Sequence, residues 1–162
     1  MPLNIKRARR VIPFYPDSAV AAEIEAASDA LVAAKKAAGD RLASKAVREA
    51  QTTFDDATKR GQSSVLDIEL EALSRKRWAE IEESNRPRED DKVDEGYSLN
   101  WDTFLAEALP ESVRSVKEHA SGDAVEVSAA EWVEALDEIS DGQYTTLALN
   151  IIRLNRDGSR PF

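Results

Sequence analysis

The chain of 162 residues contains no cysteine and only one histidine, His119. Without cysteine it has no disulfide, no thiolate nucleophile and no thiolate metal ligand. A single histidine in a polar stretch gives no convincing serine–histidine–aspartate triad, and we interpret His119 as a surface residue rather than a general base. We therefore expect a protein that is not an enzyme.

Glycine and long apolar runs are also scarce. The six glycines are scattered and form no phosphate-binding loop. No apolar run approaches the roughly 18 to 20 residues that span a bilayer, and the first residues, Met1–Arg7, lack the apolar core of a secretory signal. Carboxylates are plentiful but follow the spacing of exposed helix faces. We expect a soluble, intracellular protein without cofactor, metal or membrane contact.

Acidic residues outnumber basic ones, 31 to 22, and the formal net charge is −9. Such a chain does not attract nucleic acid through its overall field. Four cations nevertheless cluster at the start, at Lys6, Arg7, Arg9 and Arg10. This basic arm could contact phosphates or an acidic partner, or it could be a solvated edge that offsets the acidic remainder. The lack of interleaved aromatic residues favours the solvated edge.

Two segments repeat apolar residues at alternating spacings of four and three, which is the pattern of a helix seam. The first contains Val20, Ile24, Ala27, Leu31, Ala34 and Ala38, and the second contains Ala43, Val47, Ala50, Phe54 and Ala57. Gly39 and Asp40 separate the segments and predict a turn. We therefore predict an antiparallel helical hairpin, with one helix continuing through Gly39 as the alternative.

Two short segments flank the predicted hairpin and have strand character. Leu66–Glu71 alternates apolar and acidic residues, the period of a half-buried strand. Val11–Tyr15 is apolar, and Pro13 restricts it to a sheet edge because proline lacks a backbone donor. The hairpin would bring the two segments together, so we predict a short two-stranded β element at its base. Ser74 then caps a helix that carries Trp78.

The remaining sequence predicts a mainly α protein that ends in a small helical bundle. We assign residues 1–86 to the helical-hairpin unit with its short strands, 87–97 to an acidic linker, 98–155 to the C-terminal helical bundle and 156–162 to a mobile tail. The linker does not match a calcium loop, because Val93 stands where a ligand is required. Pro110 is expected to break or restart a helix.

Five aromatic residues are candidate partner-binding residues. Tryptophan and tyrosine dominate binding hot spots, but each of these residues also lies within the apolar periodicity of its own helix, which favours the core. The five are Trp78, Trp101, Phe104, Trp132 and Tyr144.

The order of motifs along the chain resembles that of a known family. The motifs are Leu70–Ile81, Asn85–Asp91, Asn100–Leu109, Ser128–Trp132 and Asp141–Asn155. In this order they resemble the tail assembly chaperones of long-tailed (siphovirus-type) phages that infect actinobacteria. The resemblance covers about Val11 to Asn155. One departure is the Asn-Arg-Pro-Arg turn at 85–88, where the family has His-Pro-Pro-Arg.

The resemblance implies a chaperone that binds the phage tape measure protein and keeps it soluble until the tail tube polymerises. Such a protein acts in the host cell cytoplasm during virion morphogenesis and is absent from the mature virion. Further candidate partners are the tail tube protein, a longer frameshifted form of the chain and a second copy of itself. The alternative is a structural or connector component of the virion, or a small oligomeric coiled-coil adaptor.

Overall fold

The protein is mainly helical and contains one small antiparallel sheet. The computed structural model describes residues 2–39 and 44–157, and in these ranges the chain forms seven α-helices and three strands. The helices are α1 (Ser18–Ala38), α2 (Lys45–Gly61), α3 (Arg75–Ser84), α4 (Lys92–Tyr97), α5 (Phe104–Ser112), α6 (Ala129–Glu138) and α7 (Asp141–Arg156). The strands are β1 (Arg9–Phe14), β2 (Leu66–Glu71) and β3 (Val113–Glu118).

Three predictions fall partly or wholly on other residues. The turn residue Asp40, the seam residue Ala43 and the tail residues 158–162 lie outside the described ranges.

The described chain divides into two compact units, each assembled from separate stretches of sequence. Unit 1 comprises Met1–Ile12, Ile68–Val116 and Ala124–Phe162, and unit 2 comprises Pro13–Asp67 and Lys117–Asp123.

In unit 2, helices α1 and α2 pack against each other. The first helix ends at Ala38, where Gly39 takes a φ of +55°, a left-handed conformation that favours glycine. Arg60 near the end of α2 pairs with Glu23 near the beginning of α1. A Cβ atom on Gly61 would lie 2.9 Å from the tip of the Ile24 side chain, so the backbone of α2 approaches α1 closely at this point.

The predicted seam residues supply the contact between these two helices. The buried ones are Ala27, Leu31, Val47 and Ala57. Both helices have a capping side chain at their N-terminus. Asp17 accepts hydrogen bonds from the amides of Ala19 and Val20 in α1, and Ser44 accepts one from the amide of Val47 in α2.

The sheet has the order β1-β2-β3, with β2 in the centre. The pairing of β1 with β2 is as predicted. In β2 the apolar Ile68 and Leu70 are completely buried, whereas Glu69 and Glu71 are partly exposed. The alternation in the sequence therefore matches one buried and one solvated face.

The prediction of a two-stranded element was wrong, because β3 adds a third strand. Its sequence, Val-Arg-Ser-Val-Lys-Glu, spaces its two valines by three, so the period of two is missing. Only Val116 is buried, and one buried residue gives no detectable alternation. Pro110 does not break the preceding helix either. It lies inside α5, which ends only two residues later at Ser112.

In unit 1, α5 packs against α3, α6 and α7. Its buried side chains are Phe104, Leu105, Ala108, Leu109 and Ser112, and those of α7 are Leu147, Ala148, Ile151, Ile152 and Leu154. Both α6 and α7 begin with a capping box, formed by Ser128 with Glu131 and by Ser140 with Gln143.

The segment 87–97, predicted as a solvated acidic linker, contains helix α4. Asp91 caps this helix by accepting from the amides of Val93 and Asp94, and the Asp94 side chain is completely buried. A helix of six residues is too short to show an apolar period, so the charged residues dominate its sequence pattern.

Replacement of Ala57 by leucine tests the packing of α1 on α2. Ala57 is 1% exposed, and the added bulk should lower the free energy of unfolding by about 1–3 kcal/mol through overpacking. Ala46→Leu is the matched control, because Ala46 is an exposed residue of the same helix and should change stability by less than about 0.5 kcal/mol. Urea unfolding measures both. Equal effects would contradict the packed contact at Ala57.

Candidate partner-binding surface

The five predicted aromatic residues fall into a buried and a half-buried group. Trp78, Phe104 and Trp132 are only 6%, 0% and 3% exposed and belong to the core. Trp101 and Tyr144 are half-buried. Of these five residues, only Trp101 and Tyr144 present aromatic surface that a partner could reach.

Trp101 lies at the centre of a cluster of aromatic rings in unit 1. Tyr97 stacks on it with ring centroids 4.5 Å apart. Phe104 and Tyr144 contact it in tilted arrangements at 5.8 and 5.9 Å, distances at which aromatic pairs attract each other. The hydroxyl of Tyr144 also donates a hydrogen bond to the carbonyl of Trp101. The cluster is therefore stabilised by ring contacts and by a hydrogen bond.

An exposed valine extends the accessible part of this cluster. Val93 is 50% exposed and lies one turn before Tyr97 on α4, so the two side chains share a helix face. We call Val93, Tyr97, Trp101 and Tyr144 the aromatic surface. Sequence reasoning missed Val93 and Tyr97, because α4 is too short for its own sequence to show an apolar period.

A buried carboxylate fixes the backbone beneath the aromatic surface. Asp94 accepts hydrogen bonds from the Arg88 Nε at 2.8 Å and Nη2 at 2.9 Å. It also accepts from the backbone amide of Arg88 at 3.0 Å and from that of Trp101 at 2.9 Å. Asp94 lies between Val93 and Tyr97, so these bonds tie α4 directly to the turn that carries Trp101.

The electrostatics of this carboxylate follow from its partners. Hydrogen bonding to Arg88 holds the pKa of Asp94 far below its ordinary value, although burial acts in the opposite direction. Asp94 is therefore ionised throughout the physiological range. Arg88 also donates to Asp102 at 2.6 Å, next to Trp101.

A second polar network joins the end of α3 to the same turn. The side chain of Asn85 donates to the carbonyl of Ile81 and to Glu107, and it accepts from the hydroxyl of Thr103. Its backbone carbonyl accepts from the amide of Asn100 at 2.8 Å. Asn85 is only 5% exposed, and its bonds to Asn100 and Thr103 restrict the turn 100–103.

The pKa of Tyr144 is raised to about 12, mainly by burial and also by the charge of Asp102. Its hydroxyl therefore stays protonated at physiological pH and remains a donor to the carbonyl of Trp101.

The described residues contain no group of three or more histidine, cysteine, aspartate or glutamate side chains that could hold a metal ion. His119 is exposed, and its Nδ1 lies 2.9 Å from a carboxylate oxygen of Asp67. Among the helices in the described ranges, none combines the length and apolar character needed to cross a bilayer. The arrangement is suited to covering apolar side chains of another protein.

Comparison of the chain with models of known protein families, with curated proteins and with solved structures found no match. The family resemblance therefore rests on the order of the motifs.

Replacement of Arg88 by alanine tests the support of the aromatic surface. It would leave the buried carboxylate of Asp94 without its charge partner, so the variant should unfold at a clearly lower urea concentration than wild type. Arg86→Ala is the control, because Arg86 is exposed and pairs with Glu83, three residues before it on the surface. It should leave urea unfolding close to that of wild type. Similar small shifts for both variants would contradict a stabilising role of the Arg88–Asp94 pair.

Stability should also depend on pH through Asp94. Its pKa is lowered on folding, from an unfolded value near 3.9, so its contribution is complete above about pH 5 and is lost as the pH falls through the acid range. Asp94→Asn should be less stable than wild type at pH 7 and should lose less stability between pH 5 and pH 3. The control is Asp90→Asn at an exposed position. Parallel pH profiles for wild type and Asp94→Asn would refute this role.

Proposed function

We propose that the protein is a phage tail assembly chaperone, which binds the tape measure protein and keeps it soluble until the tail tube polymerises. It acts in the host cell cytoplasm by non-enzymatic protein–protein binding and is absent from the mature virion. The particular partner is suggested by the resemblance in motif order, and the physical class of the interaction is supported by the aromatic surface.

One observation carries this proposal. Trp101 comes from the motif 100–109 and Tyr144 from the motif 141–155, and these two residues meet in one partly exposed cluster. The segments that resemble the family are therefore also the segments that build the accessible aromatic surface. Val93 and Tyr97 enlarge this surface from a helix that lies between two of the motifs.

The chemistry of the surface fits a long helical partner. A helix with an apolar stripe aggregates in water unless another apolar surface covers it, and aromatic residues provide large contact areas for this purpose. The formal net charge of −9 keeps the complex soluble, because like-charged particles repel each other. An aromatic docking site on an acidic protein combines both requirements of a solubilising chaperone.

The proposal includes the finer arrangement of the helices. We infer that α1 and α2 form an antiparallel hairpin, which the pairing of Arg60 with Glu23 supports. We also infer that α5, α6 and α7 form a small bundle, supported by the packing of α6 and α7 on α5. In this arrangement the bundle presents Trp101 and Tyr144.

Co-expression with a fragment of the tape measure protein tests the function. The wild-type chain should keep the fragment in the supernatant, and Val93→Glu should weaken this effect because a charge replaces part of the apolar contact. A loss of about 1 kcal/mol or more in binding is typical of a hot-spot contact. Val32→Glu is the control, since Val32 is 63% exposed on α1, outside the aromatic surface.

Two results would contradict the proposal. The first is that the fragment precipitates to the same extent with and without the chain. The second is that mass spectrometry of purified virions finds the chain as a stoichiometric component. The second result would instead support a structural or connector role.

A further inference from the structure

Three residues of the basic arm, Lys6, Arg7 and Arg9, line a groove in unit 1. The groove has a volume of about 650 Å³ and crosses residues of the N-terminal segment, of β2 and of β3. We call it the basic groove, and its lining residues are Asn4, Ile5, Lys6, Arg7, Arg9, Glu71 and Arg114. Four of these side chains are cations and one is an anion, so this region is positive in a chain whose net charge is −9.

Three arginines share the single carboxylate of the groove. Arg9 contacts Glu71 at 2.5 Å and Arg7 contacts it at 3.2 Å. Arg114 lies 3.9 Å from the same carboxylate, too far for a hydrogen bond. These partners lower the pKa of Glu71, the hydrogen bond from Arg9 contributing most. One carboxylate thus faces cations from both neighbouring strands, and their charge exceeds its own.

The arginines retain donors for a further anion. A guanidinium group carries five N–H donors, and Arg7 uses one of them on Glu71. Arg7, Arg9 and Arg114 keep 47%, 49% and 55% of their side-chain surface exposed. Within the described residues, Lys6 makes no ion pair. The groove can therefore accept another carboxylate without giving up Glu71.

Exposed apolar side chains lie in the same N-terminal segment. Leu3 is 85% exposed and Ile5 is 74% exposed, and Ile5 also lines the groove. A ligand that satisfied only the cations would leave this apolar surface in water. The best occupant carries apolar side chains next to its carboxylates.

We propose that the basic groove binds an acidic segment of a partner protein in which carboxylate and apolar side chains alternate. The protein contains an internal example of this chemistry. Strand β2 alternates apolar and acidic residues, and two of its carboxylates, Glu69 and Glu71, bind Arg9 and Arg7. The site shares no residue with the aromatic surface, so it does not depend on the identity of the tape measure protein.

Nucleic acid is the other class of anionic ligand, and it fits less well. The net charge of the chain repels a polyanion at long range. No aromatic side chain lines the groove, so it offers no stacking platform for bases.

Fluorescence anisotropy with a labelled peptide of alternating glutamate and leucine tests the proposal on the full chain. We expect saturable binding that weakens as salt is raised. Arg7→Gln/Arg114→Gln should weaken binding about fivefold or more. The double variant Arg48→Gln/Arg86→Gln makes the same change in net charge at exposed positions outside the groove, and it should bind the peptide like wild type.

A single substitution tests the groove independently, in case the double variant fails to fold. Lys6→Gln removes a cation that makes no ion pair among the described residues, so it should weaken peptide binding while urea unfolding remains unchanged.

Several outcomes would overturn the proposal. These are no binding of the peptide, equal weakening by the two double variants, or tighter binding of a labelled oligothymidine than of the peptide. Salt-sensitive self-association in sedimentation, abolished by Arg7→Gln/Arg114→Gln, would assign the groove to a second copy of this chain instead.

Discussion

The ionised carboxylate of Asp94 is the constraint on which the arrangement of α4 and of the turn before α5 depends. A charge that is completely buried requires a compensating charge and several donors. The chain supplies these from Arg88 and from the amide of Trp101. Meeting that requirement places α4 and the turn before α5 in one arrangement, and the rings of Tyr97 and Trp101 stack as a result. The aromatic surface is therefore positioned by a polar interaction beneath it.

Local patterns in the sequence predicted the elements that depend on local physics. The seams of α1 and α2, the capping box at Ser128 and the alternation of β2 each reflect neighbours in the same element. Strand β3 and helix α4 were not predicted, because each buries only one residue, Val116 in β3 and Asp94 in α4. Such elements are stabilised by contacts with distant segments, and no period in their own sequence reveals them.

The candidate site was predictable only in part for a related reason. An apolar period places an aromatic residue on the inner face of its helix, and this describes Trp78, Phe104 and Trp132, which are buried. Trp101 lies in a turn and Tyr144 in the first turn of α7, where tertiary packing decides exposure. The turn that carries Trp101 is fixed in part by Asn85, whose side-chain amide donates to Glu107 and accepts from Thr103.

The discontinuous composition of unit 1 has a consequence for the order of synthesis. This unit draws on the stretch Met1–Ile12 and on the stretch that contains α7, so it cannot assemble before α7 has been synthesised. Unit 2 receives most of its residues, Pro13–Asp67, much earlier. Contacts between distant parts of a chain form late and slowly. The residues of α1 and α2 are therefore synthesised, and can pack, before Tyr144 of α7 is added to the chain.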